Sequence, residues 1–291
     1  MDKPFFLDIS PETARDGASP YAVLPLPCER TVTYGTGTAR GPDAVLRASR
    51  EIEDFDEELL VRTGLAVQTL NAPSINRESS AENLRAIKNT AEPVFQSGRF
   101  LMGLGGEHTV SLPLIEAAAK HSSGLAVLCF DAHLDLRKKY QGTEYSHACV
   151  MRRVRELNVP TVHLGARSWS SAEYDYVKEQ SVPVISAERT HAEPLEKLSD
   201  GILELLPGKV YISFDMDVFD PALVPGTGTP EPGGLDWRTV LFLLRKVIAD
   251  RKVVGADIVE VSPVPGTQVS EFVAARLAAK ILTYHKHRNL L

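Results

Sequence analysis

The stretch LAVLCFDAHLD, residues 125–135, decides the fold. Its first half is a continuous apolar run, not an alternating one, which is the pattern of a strand buried on both faces of a parallel sheet. Its second half places Asp131, His133 and Asp135 at the strand's end. Runs of the same kind recur at 22–26, 65–70, 100–104, 161–166, 182–186, 209–214 and 253–261. Helical patterns fall between them, at 79–98, 193–206, 236–250 and 269–284. The third opens on Asp236, a good N-cap, and puts Val240, Leu241, Leu244, Val247 and Ile248 on one face. Strands alternating with helices predict an α/β fold in which helices cover a parallel sheet. No repeat, low-complexity tract or linker interrupts the chain, so 1–291 reads as a single domain.

Composition narrows the function. The chain has 291 residues, 43% hydrophobic and 24% charged, which excludes a disordered or fibrous chain. A net charge of −6 lacks the basic footprint of a general nucleic-acid binder. Cys28, Cys129 and Cys149 form neither a disulfide framework nor a C-x-x-C pair, and read as small buried hydrophobes. The N-terminal MDKPFFLD has no signal-peptide core, and no apolar run approaches the roughly 18 residues of a membrane span. A reduced, soluble, cytoplasmic protein with no membrane partner is expected.

Four clusters sit at predicted strand ends: Gly105-Gly106-Glu107-His108, the Asp131/His133/Asp135 motif, Asp215-Met216-Asp217, and Glu260. In a parallel sheet all C-terminal strand ends share one edge, so these groups should converge. Carboxylates so close repel one another unless protonated or neutralised. Two divalent cations would cancel the charges of Asp131, Asp135, Asp215 and Asp217, with His108 and His133 adding nitrogen donors. Six side chains are too many for one tetrahedral site and suit two metals if two carboxylates bridge. Oxygen-rich ligation without thiolate favours a hard or borderline ion such as Mn²⁺. A D-x-H motif also opens two-metal phosphoesterases, but their G-D and G-N-H-E settings are missing. Two long Gly/Pro/Thr-rich loops flank this edge: 28–43 reads as structural, 218–235 as part of the site. His163 reads as a packed core residue, and His121, His191, His285 and His287 as remote from the chemistry.

The segments GGEHTVSLP (105–113), DAHLD (131–135), SHA (146–148), SFDMDVFDPALVPGTGTPEPGGL (213–235) and DIVEVSP (257–263) resemble the ureohydrolase family of arginases and agmatinases, its agmatinases most of all. The likeness covers roughly residues 21–285 in order and spacing. It implies a three-layer αβα fold around a parallel eight-stranded sheet, two Mn²⁺ per subunit and a homotrimer or homohexamer. On the matching positions it implies that His108 binds one metal and His133 the other. Asp131 and Asp215 bridge, Asp135 completes the first set and Asp217 the second. Glu260 holds the substrate guanidinium and His147 shuttles a proton. The implied reaction is hydrolysis of a small cationic guanidino compound by a metal-bridging hydroxide, foremost agmatine to putrescine and urea. Another guanidino substrate, or a non-catalytic metal-binding relative, is the alternative.

The substrate's far end is open. The loop RKKYQGTEYSH (137–147) lacks the asparagine-bearing pattern of arginases, which argues against arginine. If Arg137, Lys138 and Lys139 face the pocket, a guanidino acid becomes plausible. Glu144 is a candidate partner for an amine. An ordinary imidazole pKa near ~6.5 would suit His147 for proton delivery.

Overall fold

Runs that are apolar at every position need cover on both faces, and the computed structural model, which describes residues 4–75 and 80–291, supplies it. The strands are β1 (Tyr21–Leu26), β2 (Phe55–Asp56), β3 (Val61–Arg62), β4 (Val67–Thr69), β5 (Phe100–Gly105), β6 (Leu125–Phe130), β7 (Thr161–Ala166), β8 (Val184–Ser186), β9 (Lys209–Asp215) and β10 (Lys252–Val259). Among the described residues, eight of them form one sheet in the order β4-β1-β5-β10-β9-β6-β7-β8. Every neighbouring pair in it is parallel. These are the eight runs read from the sequence, with their ends shifted by at most two residues. The last run stops at Val259, and Glu260 takes a left-handed turn with φ 64°. The short β2/β3 hairpin has no counterpart in the sequence reading.

The strands of the sheet feed two separate cores, one on each face. Ala126, Leu128 and Phe130 of β6 join one, while Leu125, Val127 and Cys129 join the other. The first core is closed by helices Gly41–Ser49, Leu195–Leu205, Trp237–Asp250 and Val269–Lys286. The second is closed by Ser80–Gln96, Ser111–His121 and Val150–Glu156. Helix, sheet and helix therefore make three layers. Each fully buried Leu, Ile or Val contributes about 1.5–3 kcal/mol of transfer free energy. The expected N-cap holds, as Asp236 accepts the Thr239 N–H at 3.0 Å. The helix expected over 79–98 is seen from Ser80, and Ser79 lies outside the described residues, as do residues 1–3 of the N-terminal stretch. Helices Gly41–Ser49, Ser111–His121, Val150–Glu156 and Ser171–Glu179 escaped the sequence reading. The last carries mostly polar residues and is set by a capping box, Ser170 with Glu173, not by an apolar stripe.

This topology places the site. β5, β10, β9 and β6 are consecutive in the sheet, and their C-terminal ends carry the four clusters. No helix among the described residues is long and apolar enough to cross a membrane. Cys28, Cys129 and Cys149 are buried and unpaired.

Candidate metal centre and its pocket

Each cluster reaches the centre through a local departure from regular structure. After β5, Gly106 packs against Cys28 so closely that a Cβ there would overlap the Cys28 carbonyl oxygen. This approach lets Glu107 and His108 turn over the sheet edge. After β6 the strand stops at Phe130, and Asp131, His133 and Asp135 meet through a bend. Asp135 is left-handed, φ 52°. After β9, the Asp217 N–H donates to Asp215 Oδ1 at 2.9 Å and winds a short turn that faces both carboxylates inward. Left-handed Asp135 and Glu260 each cost about 1–3 kcal/mol and persist because their surroundings fix them.

The six groups converge. His108 Nδ1 lies 3.0 Å from Asp135 Oδ2, 3.2 Å from Asp131 Oδ2 and 3.4 Å from Asp215 Oδ2. His133 Nδ1 lies 2.9 Å from Asp217 Oδ2 and 3.5 Å from Asp131 Oδ1. Asp131 thus faces one histidine with each oxygen. His108 is 1% exposed, and its Nδ1 has no well-directed hydrogen bond among the described residues. Its other nitrogen explains why. Nε2 is 2.9 Å from Ser213 Oγ, which itself donates to Asp257 Oδ1 at 2.9 Å. Ser213 must then accept the Nε2 proton, which leaves a lone pair on Nδ1 aimed at the carboxylates. A buried acceptor nitrogen facing carboxylate oxygens is the donor set of a cation.

Electrostatics agree. Burial and the Asp131 charge push the Asp135 carboxyl up to about 7. Burial, with Asp217 and Asp131, raises Asp215 well above its ordinary range. Burial pushes Glu260 up to about 8. Burial would lower both imidazoles, but Asp131 and Asp135 raise His108, and Asp217 and Asp131 carry His133 up to about 12. A group short of positive charge titrates in this way. Asp131, His133 and Asp217 form one possible metal-binding group, and His108 and Asp131 form another with Cys129. Burial and the neighbouring carboxylates raise the Cys129 thiol well above its ordinary value.

The centre floors a cavity of about 290 Å³ bordered by His108, His133, Asp135, Asp215, Asp217, His147 and Glu260. Asp131 is buried and does not line it. Glu260 Oε1 accepts the His108 N–H at 2.7 Å. The 28–43 loop, expected to be structural, supplies Val32, Thr33 and Gly35 to the wall, and its last residues are already helical. It meets the 218–235 loop where the Gly35 N–H donates to the Gly228 carbonyl at 3.0 Å. It also holds His147. Thr31 Oγ1 is 3.2 Å from Nδ1 and Thr33 Oγ1 2.7 Å from Nε2. Thr31 Oγ1 also accepts the His147 backbone N–H at 3.1 Å. Burial lowers His147 to about 4, which replaces the ordinary value expected from sequence: the ring is neutral at pH 7. The loop is anchored by buried Glu107, whose Oε2 accepts the Arg30 and Thr31 N–H groups, each at 2.6 Å.

Several polar residues here were not read from the sequence. Ser213 and Asp257 could have been, because they are polar residues inside otherwise apolar runs and lie in register on β9 and β10. Thr31 and Thr33 give no sequence signal, and Glu107, though it falls in a strand-end cluster, does not show its hold on the loop there. Arg167, at the end of β7, donates to the carbonyls of Asp217 and Glu231 at 2.7 Å and of Gly165 and Pro232 at 3.1 Å. It ties a candidate ligand turn to the 218–235 loop. Of the basic triplet, Lys138 and Lys139 are exposed and only Arg137 lines the pocket. Glu144 turns instead to Arg153, 3.3 Å away. His163 is fully buried in β7, as expected.

Comparison with known proteins bears on this geometry. A profile of the Arginase family matches residues 19–283. The chain is 37% identical to an N(1)-aminopropylagmatine ureohydrolase of Synechocystis, covering 90% of this chain and 88% of that protein. It is 34% identical to an agmatinase of Pyrococcus horikoshii, covering 91% and 90%. Among solved structures it is similar to the agmatine ureohydrolase of Thermoplasma volcanium, with a TM-score of 0.82, 28% identity and 94% of both chains covered.

Proposed function

We propose that this chain, which belongs to the arginase family and is a ureohydrolase acting on guanidino compounds, hydrolyses agmatine to putrescine and urea. The observation that carries the reading is the burial of Asp131, Asp135, Asp215 and Asp217 around His108 and His133, with Glu260 on the same cavity wall. In the proposal His108, Asp131, Asp135 and Asp215 would hold one Mn²⁺, and His133, Asp131, Asp215 and Asp217 would hold a second. When bound, the two ions would balance the four aspartates and make a water molecule nucleophilic at neutral pH.

The chain's own residues do the rest. Glu260 has one oxygen on the His108 N–H and the other available to a planar cation. Its burial favours a guanidinium partner, because a positive charge is what its carboxylate lacks. Glu260 so placed turns the guanidinium carbon toward the aspartate cluster. His147 is neutral, so at the cavity wall it first takes up the proton released by the attacking water and, as imidazolium, hands it to the departing amine. Thr31 and Thr33 keep the ring from turning. The Gly35–Gly228 bond closes one side of the cavity against water.

A second reading, N(1)-aminopropylagmatine as substrate, is favoured by the name of the Synechocystis relative. A cytoplasmic location and a homotrimeric or homohexameric assembly belong to the same proposal; they rest on three unpaired cysteines and on family likeness. The test is urea release by the manganese-loaded protein from agmatine, N(1)-aminopropylagmatine, arginine, 4-guanidinobutyrate, 3-guanidinopropionate and guanidine. The amine-ended substrates should lead. A guanidino acid in first place would overturn the substrate, and no urea from any of them would overturn the reaction.

A further inference from the structure

We propose that Glu231 is the specificity-determining residue of the pocket: its carboxylate takes the distal ammonium of an amine-ended guanidino substrate and disfavours a carboxylate-ended one. The inference rests on the proposed hydrolase reading and extends it to the substrate's tail.

The charge inventory of the cavity carries it. Apart from the aspartate and histidine cluster, His147 and Glu260, three charged side chains line it: Arg137, Glu173 and Glu231. Two of these are already committed. Glu173 is buried, with Oε1 accepting the Leu136 N–H at 3.1 Å and Oε2 accepting the Ser170 N–H at 2.9 Å and its hydroxyl at 2.7 Å. Arg137 pairs with Glu173 at 3.6 Å and lies over the Tyr140 ring at 5.0 Å. Its charge is thus partly offset by Glu173. Glu231 is different. Its side chain is 35% exposed and, among the described residues, forms no salt bridge to a lysine or arginine: nearby Arg167 spends its donors on backbone carbonyls, and His133 Nε2 is 3.8 Å from Oε1. That nitrogen points away from the aspartates, because Nδ1 faces Asp217 and Asp131. Glu231 therefore stands an imidazole's width outward from the candidate metal centre, toward the tail of a substrate whose guanidinium is at Glu260.

Its backbone is also preset. Pro230 and Pro232 flank it and fix their own φ angles. Arg167 holds the Glu231 and Pro232 carbonyls. A preset carboxylate loses little freedom when it meets a cation. Trp169, 40% exposed on the same wall, offers an apolar surface to the methylenes between the two charges.

The experiment compares wild type with Glu231→Gln and Glu231→Lys at matched manganese content and melting temperature. Kinetics with agmatine and 4-guanidinobutyrate give the ratio of kcat/KM. Glu231→Gln should lower that ratio roughly 10- to 100-fold through KM, the range of a lost charge-assisted hydrogen bond, and Glu231→Lys should lower it further. Calorimetric binding of agmatine should weaken by a similar factor. An unchanged ratio and unchanged agmatine affinity in Glu231→Gln would overturn the assignment. If wild type releases no urea from any guanidino compound, the hydrolase reading fails by itself, and the calorimetric comparison still decides whether Glu231 binds the amine.

Discussion

Replacing Arg167 by alanine should unfasten the site without touching a candidate ligand. The guanidinium donates to the Asp217 and Glu231 carbonyls at 2.7 Å and to those of Gly165 and Pro232 at 3.1 Å. A hydrogen bond from a charged donor contributes about 1.5–3 kcal/mol net, and water can replace part of that at a half-buried group. Summed with that discount, Arg167→Ala should cost roughly 3–5 kcal/mol, a large share of a typical ~5–15 kcal/mol stability. Arg167→Lys keeps the stem and charge but loses the planar fork, so it should recover only part. Because the Asp217 carbonyl is released, the weaker of two manganese-binding steps should lose affinity by about 10- to 100-fold, as when outer partners of metal ligands are removed. Denaturant unfolding of chelator-treated protein measures the first effect, and calorimetric manganese titration the second. An Arg167→Ala protein within about 0.5 kcal/mol of wild type, binding manganese equally well, would refute the reasoning.

Glu107→Ala strands the buried Thr31 N–H and removes the acceptor of the Arg30 N–H. It should lower stability by about 3 kcal/mol and lower kcat for agmatine more than KM, since His147 loses its threonines; an unchanged kcat would count against the loop's role. Ser213→Ala frees the His108 ring to flip and should weaken manganese binding about 10- to 100-fold in a metal-competition assay, whereas equal affinity would dismiss the Asp257–Ser213–His108 chain as a support. His163 gives a pH signature. Burial lowers it to about 4 in the folded chain, against an ordinary ~6.5 unfolded, so its contribution is full above the unfolded value and is lost as pH falls toward the folded one. Acid should remove about 3 kcal/mol through this group between those values, and unfolding curves of His163→Gln should lack that part of the slope.

What could be read from the sequence had a short-range signature. Each sheet strand shows as an unbroken apolar run because both faces are covered, so a six-residue window such as Leu125–Phe130 suffices. The ligand candidates show because carboxylates and histidines directly after such runs have one place to go in a parallel sheet. What escaped depends on distant pairing. Thr31 and Thr33 acquire a role only because Glu107, on another strand's end, folds their loop over His147. Arg167 looks like any arginine until six carbonyls from three segments surround its guanidinium. The loop 137–147 reads as basic, yet Arg137 faces Glu173, thirty-six positions further along the chain. The His147 pKa follows from burial, which sequence spacing does not encode.

The most direct test of the central claim, that this edge of the sheet is a two-metal guanidino hydrolase, is urea release from agmatine by metal-stripped protein titrated with manganese. The account predicts no urea from the stripped protein and activity that rises to a plateau at two equivalents per chain. Urea release that survives stripping, or none at any manganese level from agmatine or its guanidino relatives, would contradict it.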